Sequence, residues 1–427
     1  MKEDLLQYSW RFGLFDHSNL KTQDGEEIKI LANGVINKNA GPDFLNSKIK
    51  IGDTIWAGNV EIHHKSGDWL KHNHEKDSAY DSVIMHVVYE NGTVIKRTDG
   101  SIIPCLELKN RISTNFIENY EKLIQNDSWI PCESHIGKVD DITISNWLNR
   151  LLIERLEDKT SVIAALLKGN KNNLEETFYQ LLANNFGFKV NGLPFELLAK
   201  SLPLTVIAKH KNNLKQIEAL FFGVAGFLEQ DHSDKYFLEL KAEFNHLKLK
   251  FNLKPLDVSI WKFLRLRPSN FPTIRIAQFA ELIHKSHHVL SYILECKDPK
   301  SITKLFETEA SNYWNTHYHF NKESAKRIKK LGDTARTNII INTVAPFLFH
   351  YGQIKQLENY KELAIGLLDS VPPENNHIIK NFENLGIKTR SGFDSQALIQ
   401  LKSNYCAHKK CLQCSIGNKI LNQSTKN

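Results

Sequence analysis

The period of the hydrophobic residues changes once along the chain, and this change constrains the fold more than any other feature. Up to about residue 110, apolar and polar residues alternate in short runs that end at turn signals such as Gly52-Asp53, a pattern typical of β-strands. From about residue 111, apolar residues recur at helical spacing, most clearly over residues 140–167. The sequence therefore predicts a strand-rich part followed by a helical part.

We predict an N-terminal domain over residues 1–125 and a larger domain over residues 126–427. The first is expected to be α+β or α/β, built mostly of β-hairpins behind a short amphipathic helix at residues 4–15. The second is expected to be all-α and to end in a cysteine-rich tail. Two domains agree with the length of 427 residues, which exceeds what one ordinary core can hold.

The composition is that of a soluble globular protein, with 41% apolar and 24% charged residues. Residues 1–10 carry acids where a signal peptide would be positively charged. The longest nearly unbroken apolar run, residues 219–228, is shorter than the roughly 20 residues that span a bilayer, so it predicts a buried helix. We therefore expect a cytoplasmic protein with no membrane partner, and the oligomeric state stays open. The net charge of +7 permits a nucleic-acid partner without requiring one.

Two carboxylates of the strand-rich part are candidates for a metal site. Asp43 follows Pro42 at the start of one predicted strand, and Glu61 lies in the next. A hairpin can bring both side chains to one face, where a divalent cation such as Mg²⁺ or Mn²⁺ relieves their repulsion. His63 falls on the same face as Glu61, and Lys65 continues the alternation; either residue would activate water or stabilise charge on a phosphate. The alternative is that Asp43 caps a turn and Glu61 is a solvated strand residue.

Five histidines fall within 24 residues of this part, and they are candidate metal or substrate ligands: His63, His64, His72, His74 and His86. The spacing His72-x-His74 is one that zinc sites use, because two imidazoles two residues apart on extended chain face the same way. One interpretation is therefore a hydrolytic zinc centre. The other is that His86 is a hydrogen-bonded core residue and the rest lie in loops.

The C-terminal tail predicts a second metal site. Cys411 and Cys414 are separated by two residues, and Cys406 precedes them by a short gap; a C-x2-C turn places two thiolates on one ion or cluster. We predict that Cys132 is the fourth ligand, with Cys296 and His408 as alternatives, and that the site holds Zn²⁺ or a [4Fe–4S] cluster. Unliganded thiols are the remaining possibility.

A basic stretch of the helical part is a candidate nucleic-acid surface. Residues 241–285 contain nine Lys and Arg residues against three acids, with aromatic residues between them. Arginine beside aromatic rings suits a phosphate backbone and unstacked bases. The residues predicted to contact DNA or RNA are Lys262, Arg265, Arg267 and Arg275. The alternative is a solvated helix face above core aromatics.

The motif Gly41-Pro42-Asp43, followed by a hairpin and Glu61-Ile62-His63, resembles the signature of the PD-(D/E)XK nuclease superfamily. That superfamily places an N-terminal helix before the sheet, an Asp at the start of one strand and an acid-x-Lys on the next; His63 stands here in place of the lysine. The cysteine tail is similar to iron–sulfur modules of DNA glycosylases and of nucleases with one upstream and three C-terminal cysteines. The resemblance implies metal-dependent hydrolysis of phosphodiester bonds.

Across its full length the chain also resembles an uncharacterised bacterial family of domain-of-unknown-function type, DUF2851. The resemblance rests on NAGPDF, GNVEIHH-x3-DW-x2-H-x-H, RLRP-x-NFP-x-x-RIAQ, DSQALIQLK and the YC-x4-CLQC-x-IG tail, and it implies no activity. The main functional hypothesis is therefore a metal-dependent nuclease. The alternatives are a non-catalytic nucleic-acid- or protein-binding module with structural zinc, and a zinc hydrolase that acts on a small substrate through His72 and His74.

Overall fold

A computed structural model of the protein describes residues 3–286 and 288–423. The chain divides into two compact units. The first unit consists of the residues up to 147 together with those from 402 onward, and the second unit consists of residues 148–401. These bounds differ from the predicted domains in two ways: residues 126–147 and the cysteine-rich tail belong to the same unit as the N-terminal sheet.

The strands and helices follow the predicted change of period: a mixed α/β part comes first and a large helical part follows. The strands are β1 (Ile28–Ala32), β2 (Val35–Ile36), β3 (Phe44–Ile51), β4 (Thr54–Lys65), β5 (Val83–Glu90), β6 (Cys105–Glu107), β7 (His317–His319) and β8 (Lys322–Glu323). The helices are α1 (Glu3–Phe12), α2 (Asp68–Lys71), α3 (Thr114–Gln125), α4 (Asp141–Gly169), α5 (Leu174–Phe186), α6 (Phe188–Ser201), α7 (Leu204–Ile207), α8 (Leu214–Val224), α9 (Lys235–Phe251), α10 (Pro272–Lys285), α11 (Val289–Glu295), α12 (Pro299–Leu305), α13 (Asp333–Ile339), α14 (Ala345–Lys355), α15 (Glu358–Ser370), α16 (His377–Asn384), α17 (Gly392–Gln400) and α18 (Ser415–Gln423).

The sheet of the first unit has the order β1-β3-β4-β5-β6, with β2 paired to β3. A two-residue turn joins β3 to β4, and its Gly52 has a φ of +54°, a left-handed conformation that glycine adopts without strain. The antiparallel register pairs Phe44 with Val60. The residue before Phe44 therefore lies opposite the residue after Val60, which sets Asp43 beside Glu61.

The prediction of mostly hairpins is confirmed for the consecutive antiparallel strands β2, β3 and β4, and β1 also pairs antiparallel with β3. It is wrong for β5 and β6. Strand β5 is parallel to β4, with Glu61 opposite His86, and β6 is parallel to β5. A parallel pair needs a crossover of a dozen or more residues, and residues 66–82 supply it. Asp99-Gly100 is a further turn signal that predicts a hairpin, but the antiparallel pairing around it is limited to a bridge between Lys96 and Ile102.

The core of the first unit lies between the sheet and its helices. Helix α1 matches the predicted amphipathic segment, and its Leu5, Leu6 and Trp10 are buried. Strand β5 is buried from Val83 to Val88, as an apolar run at a sheet centre should be. The crossover contributes Trp69, which is fully buried in a cluster with Val83 and with residues of the segment that precedes β6.

The second unit is helical apart from the small hairpin of β7 and β8. The apolar run at residues 219–228 is buried, as predicted, in α8 and the turn that follows it. Helical spacing predicts a further helix over residues 325–350. This prediction is wrong for its first turns, because α13 begins only at Asp333. The preceding chain instead hydrogen-bonds to a neighbouring loop, with the Arg327 N–H donating to the Asn315 carbonyl oxygen and the Ala310 N–H to that of Lys329.

Helices that cross a bilayer need both length and apolar character. In the ranges 3–286 and 288–423, no helix has both.

Substitution of Gly58 tests whether the β4–β5 pairing sets the stability of the first unit. An alanine Cβ at Gly58 would overlap Ile84 Cγ2 and lie 2.7 Å from the Ser82 carbonyl oxygen. We expect Gly58→Ala to lower the free energy of unfolding by about 1–3 kcal/mol, the usual cost of overpacking, measured as a shift of the urea midpoint. Gly67→Ala is the matched control, because φ is −67° there and the nearest atom lies at 3.7 Å. A midpoint that is equal in the two variants would contradict this packing.

Candidate metal centre

The β4 strand, the β5 strand and the crossover between them carry a group of polar side chains to one place in the first unit. Glu61 and His63 alternate along β4 and are buried, and His86 is buried on β5. His72 directly follows α2, and Asn73 then takes a left-handed conformation with a φ of +61°, which asparagine tolerates. The chain reverses there and returns His74 toward the sheet.

Three imidazoles meet in this group. His63, His72 and His74 place one ring nitrogen each within 4.8 Å of one another, and they are buried, exposed and half-buried, respectively. The closest nitrogens are His63 Nε2 and His72 Nδ1, 3.1 Å apart. In a tetrahedral site with Zn–N bonds of about 2.0–2.1 Å, two ligand nitrogens are about 3.4 Å apart. One pair is near that distance, and the 4.8 Å limit on the whole set makes the three residues candidate ligands of one transition-metal ion.

The Glu61 carboxylate borders the same space. Its Oε1 lies 3.4 Å from His74 Nε2 and 3.6 Å from His63 Nε2, while its Oε2 accepts the Asp43 backbone N–H at 3.0 Å. Burial raises the pKa of Glu61 well above its ordinary value, and the neighbouring Asp43 adds to the rise. A carboxylate in this environment gains strongly from a nearby cation.

Asp43 is adjacent to Glu61 and is held by two hydrogen bonds. Its Oδ1 accepts from Gln7 Nε2 at 2.9 Å, and its Oδ2 accepts the Ile62 N–H at 3.0 Å. Burial raises the pKa of Asp43 too. The structure therefore brings together the two carboxylates that the sequence singles out. The side chains that surround the candidate ion position are the three histidines and Glu61, whereas the Asp43 carboxylate is engaged by Gln7 and the Ile62 N–H.

Sequence reasoning missed the contribution of α1. Gln7 reaches Asp43, and burial together with the charges of Asp43 and Asp68 raises the pKa of Glu3 to about 7. The amphipathic pattern of residues 4–15 gave no sign of this, because polar residues on a surface helix are normally solvated.

His86 contacts the ring nitrogen of His63 that does not face His72. Its Nε2 lies 2.9 Å from His63 Nδ1, the kind of contact that fixes the orientation and tautomer of a metal-binding imidazole. Burial lowers the pKa of both His63 and His86 to about 3, with neighbouring histidines adding to the effect at each. Both rings are thus neutral near pH 7, and neutral imidazole is the form that binds metals. His86 Nδ1 is buried without a partner among the described residues.

Two predicted site residues lie outside this group. His64 is half-buried and stacks on Tyr89 with ring centroids 5.4 Å apart. Lys65 is exposed at the end of β4, and its backbone N–H donates to Asp68 Oδ2.

The predicted cysteine ligands also come together in the first unit. Burial raises the pKa of the Cys132 thiol to about 12, and the nearby Cys414 and Cys411 add to the rise. Burial also raises the pKa of the Cys406 thiol, and the nearby Cys132, Cys414 and Cys411 add to the rise. Burial raises the pKa of the Cys414 thiol too. The backbone N–H groups of Gly417 and Ile416 donate to this thiol and partly oppose the rise in its pKa.

Cys296 and His408 are the predicted alternatives to Cys132 as the fourth ligand. Cys296 lies in the second unit, where its thiol contacts the Asp298 carbonyl oxygen. His408 is exposed.

The predicted nucleic-acid contacts divide into two kinds. Lys262, Arg265 and Arg267 are exposed on the second unit. Arg275 is buried, and its guanidinium donates to Gln278 Oε1 and Asn270 Oδ1 and lies 4.7 Å from the Phe188 ring centroid. A pattern of charges alone does not distinguish an arginine that faces solvent from one, such as Arg275 on α10, whose side chain is buried.

Comparisons with known proteins identify the family. No curated protein and no solved structure matches the chain. A family described as "Protein of unknown function (DUF2851)" matches residues 3–377, which is most of the 427 residues. The chain therefore belongs to the DUF2851 family.

Proposed function

We propose that the protein is a metal-dependent hydrolase of phosphodiester bonds in DNA or RNA, with its metal ion at His63, His72 and His74. The observation that carries the proposal is the meeting of three imidazole nitrogens within 4.8 Å beside the buried carboxylate of Glu61. Three protein ligands leave the remaining coordination position to water or substrate, the arrangement of catalytic zinc sites.

The donor set decides which ion is proposed. The carboxylates Asp43 and Glu61 alone would favour Mg²⁺ or Mn²⁺, but three imidazoles favour a softer ion, and we propose Zn²⁺. Such an ion lowers the pKa of bound water and polarises a phosphoryl oxygen.

The acidic residues have separate roles in this proposal. Glu61 Oε1 faces the histidines and takes the proton of the attacking water. The Asp43 backbone N–H holds Glu61 Oε2, so that only one oxygen of Glu61 faces the imidazoles. Because the Asp43 carboxylate accepts the Ile62 N–H, Asp43 acts as a positioning residue.

Two observations support a phosphodiester as the substrate. The order of α1, the hairpin of β3 and β4, and parallel β5, with Asp43 just before β3 and Glu61-x-His63 on β4, resembles the arrangement of the PD-(D/E)XK nucleases. The second unit also exposes Lys262, Arg265 and Arg267, which suit a polyanion.

A binding module with structural zinc is the second candidate, and one distance favours it. Glu61 Oε1 is 3.4 Å from His74 Nε2, close enough for Glu61 to become a fourth ligand. Four protein ligands close a tetrahedral site and leave no position for substrate.

We also propose that Cys132, Cys406, Cys411 and Cys414 hold a [4Fe–4S] cluster that fastens the C-terminal tail to the sheet. The four thiols are close enough to interact with one another. One upstream and three C-terminal cysteines is also the order in the iron–sulfur modules that the tail resembles, and cysteine thiolates are the usual ligands of such clusters.

Removal of one imidazole tests the ion site. We expect His74→Ala to lower bound zinc from about one ion per chain to near zero, because two remaining imidazoles are a poor zinc site; plasma emission spectrometry on the purified full chain measures it. His64→Ala is the matched control, since that ring stacks on Tyr89 away from the group. Equal zinc content in the two variants would place the ion elsewhere.

Substitution of the carboxylate separates the two candidate functions. If Glu61 is the general base, Glu61→Gln retains the zinc and lowers the rate of cleavage of a labelled oligonucleotide by about 10²–10⁴-fold. If Glu61 is a fourth ligand of a structural site, the variant loses zinc affinity and the wild-type protein shows no cleavage to lose. Hydrolysis of a small phosphodiester without cleavage of DNA or RNA would favour the small-substrate hydrolase.

Anaerobic purification tests the cysteine site. We expect a brown protein with about four irons per chain, and we expect Cys132→Ser to lose both iron and colour. Cys296→Ser should keep them, because that thiol lies in the second unit. A colourless protein that binds zinc at these cysteines would make the site a zinc site instead.

A further inference from the structure

The second unit carries a patch of three aromatic rings that stay half-exposed. Phe263 and Phe271 have ring centroids 5.2 Å apart, and His319 lies 4.9 Å from the first and 5.0 Å from the second. Each of the three side chains is half-buried. We call these three residues the ring patch.

Two cationic segments border the ring patch. One is residues 262–267, which contains Phe263 itself. The other is residues 321–330, which begins two residues after His319 and was predicted in part as helix. Their exposed cations are Lys262, Arg265, Arg267, Lys322, Lys326, Arg327 and Lys330. The first segment contains no acid and the second contains one, Glu323. Both segments are therefore strongly positive.

Contacts inside the second unit hold the two segments around the rings. Thr273 Oγ1 donates to the Tyr318 carbonyl oxygen at 2.6 Å, which ties the start of α10 to β7. Lys322 pairs with His319 in the β7–β8 hairpin. Lys329 is buried, with its Nζ 4.1 Å from the Tyr318 ring centroid and donating to the carbonyl oxygens of Asn315 and Arg327. The second segment is therefore anchored by one buried lysine, while its other cations face solvent.

We propose that the ring patch and its two cationic segments bind single-stranded nucleic acid. Single strands are bound by positive surfaces that follow the phosphates and by aromatic rings on which unpaired bases stack, and this surface has both. In a duplex the bases are stacked on one another inside the helix, so the rings would contribute little. The inference rests on the proposed function, because it names the form of the polynucleotide that the hydrolase takes.

A direct binding measurement tests the inference without relying on cleavage. The full-length Glu61→Gln protein is titrated into a fluorescein-labelled oligo-dT of about 15 nucleotides, within the usual site size, and anisotropy is followed at several salt concentrations. We expect binding that weakens steeply with salt and that is at least tenfold tighter than binding to a duplex of equal length.

Two variants separate the charges from the rings. Arg265→Ala with Arg267→Ala should weaken binding at least tenfold and reduce its dependence on salt. Phe263→Leu keeps an apolar side chain of similar reach, and it should weaken binding about tenfold with the salt dependence unchanged. The matched control is Lys168→Ala with Lys355→Ala, two exposed cations of the same unit on α4 and α14, which should bind like the parent protein.

Several results would overturn the inference. These are no binding of the oligonucleotide, equal affinity for the duplex, or equal loss in the control pair. Binding to phosphatidylserine vesicles in place of the oligonucleotide, lost in the Arg265/Arg267 variant, would assign the surface to a membrane. The remaining outcome is a wild-type protein that binds the oligonucleotide through these residues and yet cleaves no nucleic acid. That result would contradict the proposed hydrolase and support the binding surface.

Discussion

A reciprocal pair of hydrogen bonds between β3 and β4 is the interaction on which the candidate metal centre depends. The Asp43 N–H donates to the Glu61 carboxylate, and the Ile62 N–H donates to the Asp43 carboxylate. Each acid is thus held by the backbone of the other strand. A register shift between Phe44 and Ser47 separates this region from the register that the Gly52 turn sets. Since a slip of one residue in strand register moves every side chain to the opposite face, these two bonds hold the register in which Glu61 and His63 face the crossover histidines.

Burial without a counter-charge explains the protonation of this group. Desolvation raises the pKa of Asp43 and Glu61 and lowers the pKa of His63 and His86. Both shifts favour the neutral forms, because a charged group loses its hydration in the interior. A divalent cation would act differently on the two types, stabilising the ionised carboxylates while it uses the imidazoles in the neutral form they already have. Binding of the cation is therefore expected to release protons mainly from the acids.

Local patterns were enough to predict part of the fold and part of the site. The Gly52-Asp53 turn and the alternation on either side predicted β3 and β4. The apolar run at residues 82–90, which is rich in residues of high β-propensity, predicts a strand of the sheet centre. The parallel pairing of β4 with β5 was not predictable, because it depends on the path of the crossover rather than on a local turn. Gln7 and Glu3 were missed for a related reason, since nothing in α1 indicates which polar residue faces the sheet. Arg275 shows a different limit. The sequence placed it in a basic stretch, but it did not indicate that this arginine is buried in the core.

The first unit is discontinuous in sequence, and this has a consequence for how the protein is made. Residues 148–401 are synthesised between Cys132 and Cys406. At about 5–20 residues per second, the ribosome needs on the order of tens of seconds to make them. Throughout that time the sheet exists without the tail that belongs to its unit, and Cys132 stays without the three cysteines that gather beside it. The first unit to emerge is therefore the last to be completed, and a chain that is cut short anywhere in the second unit leaves the first one unfinished.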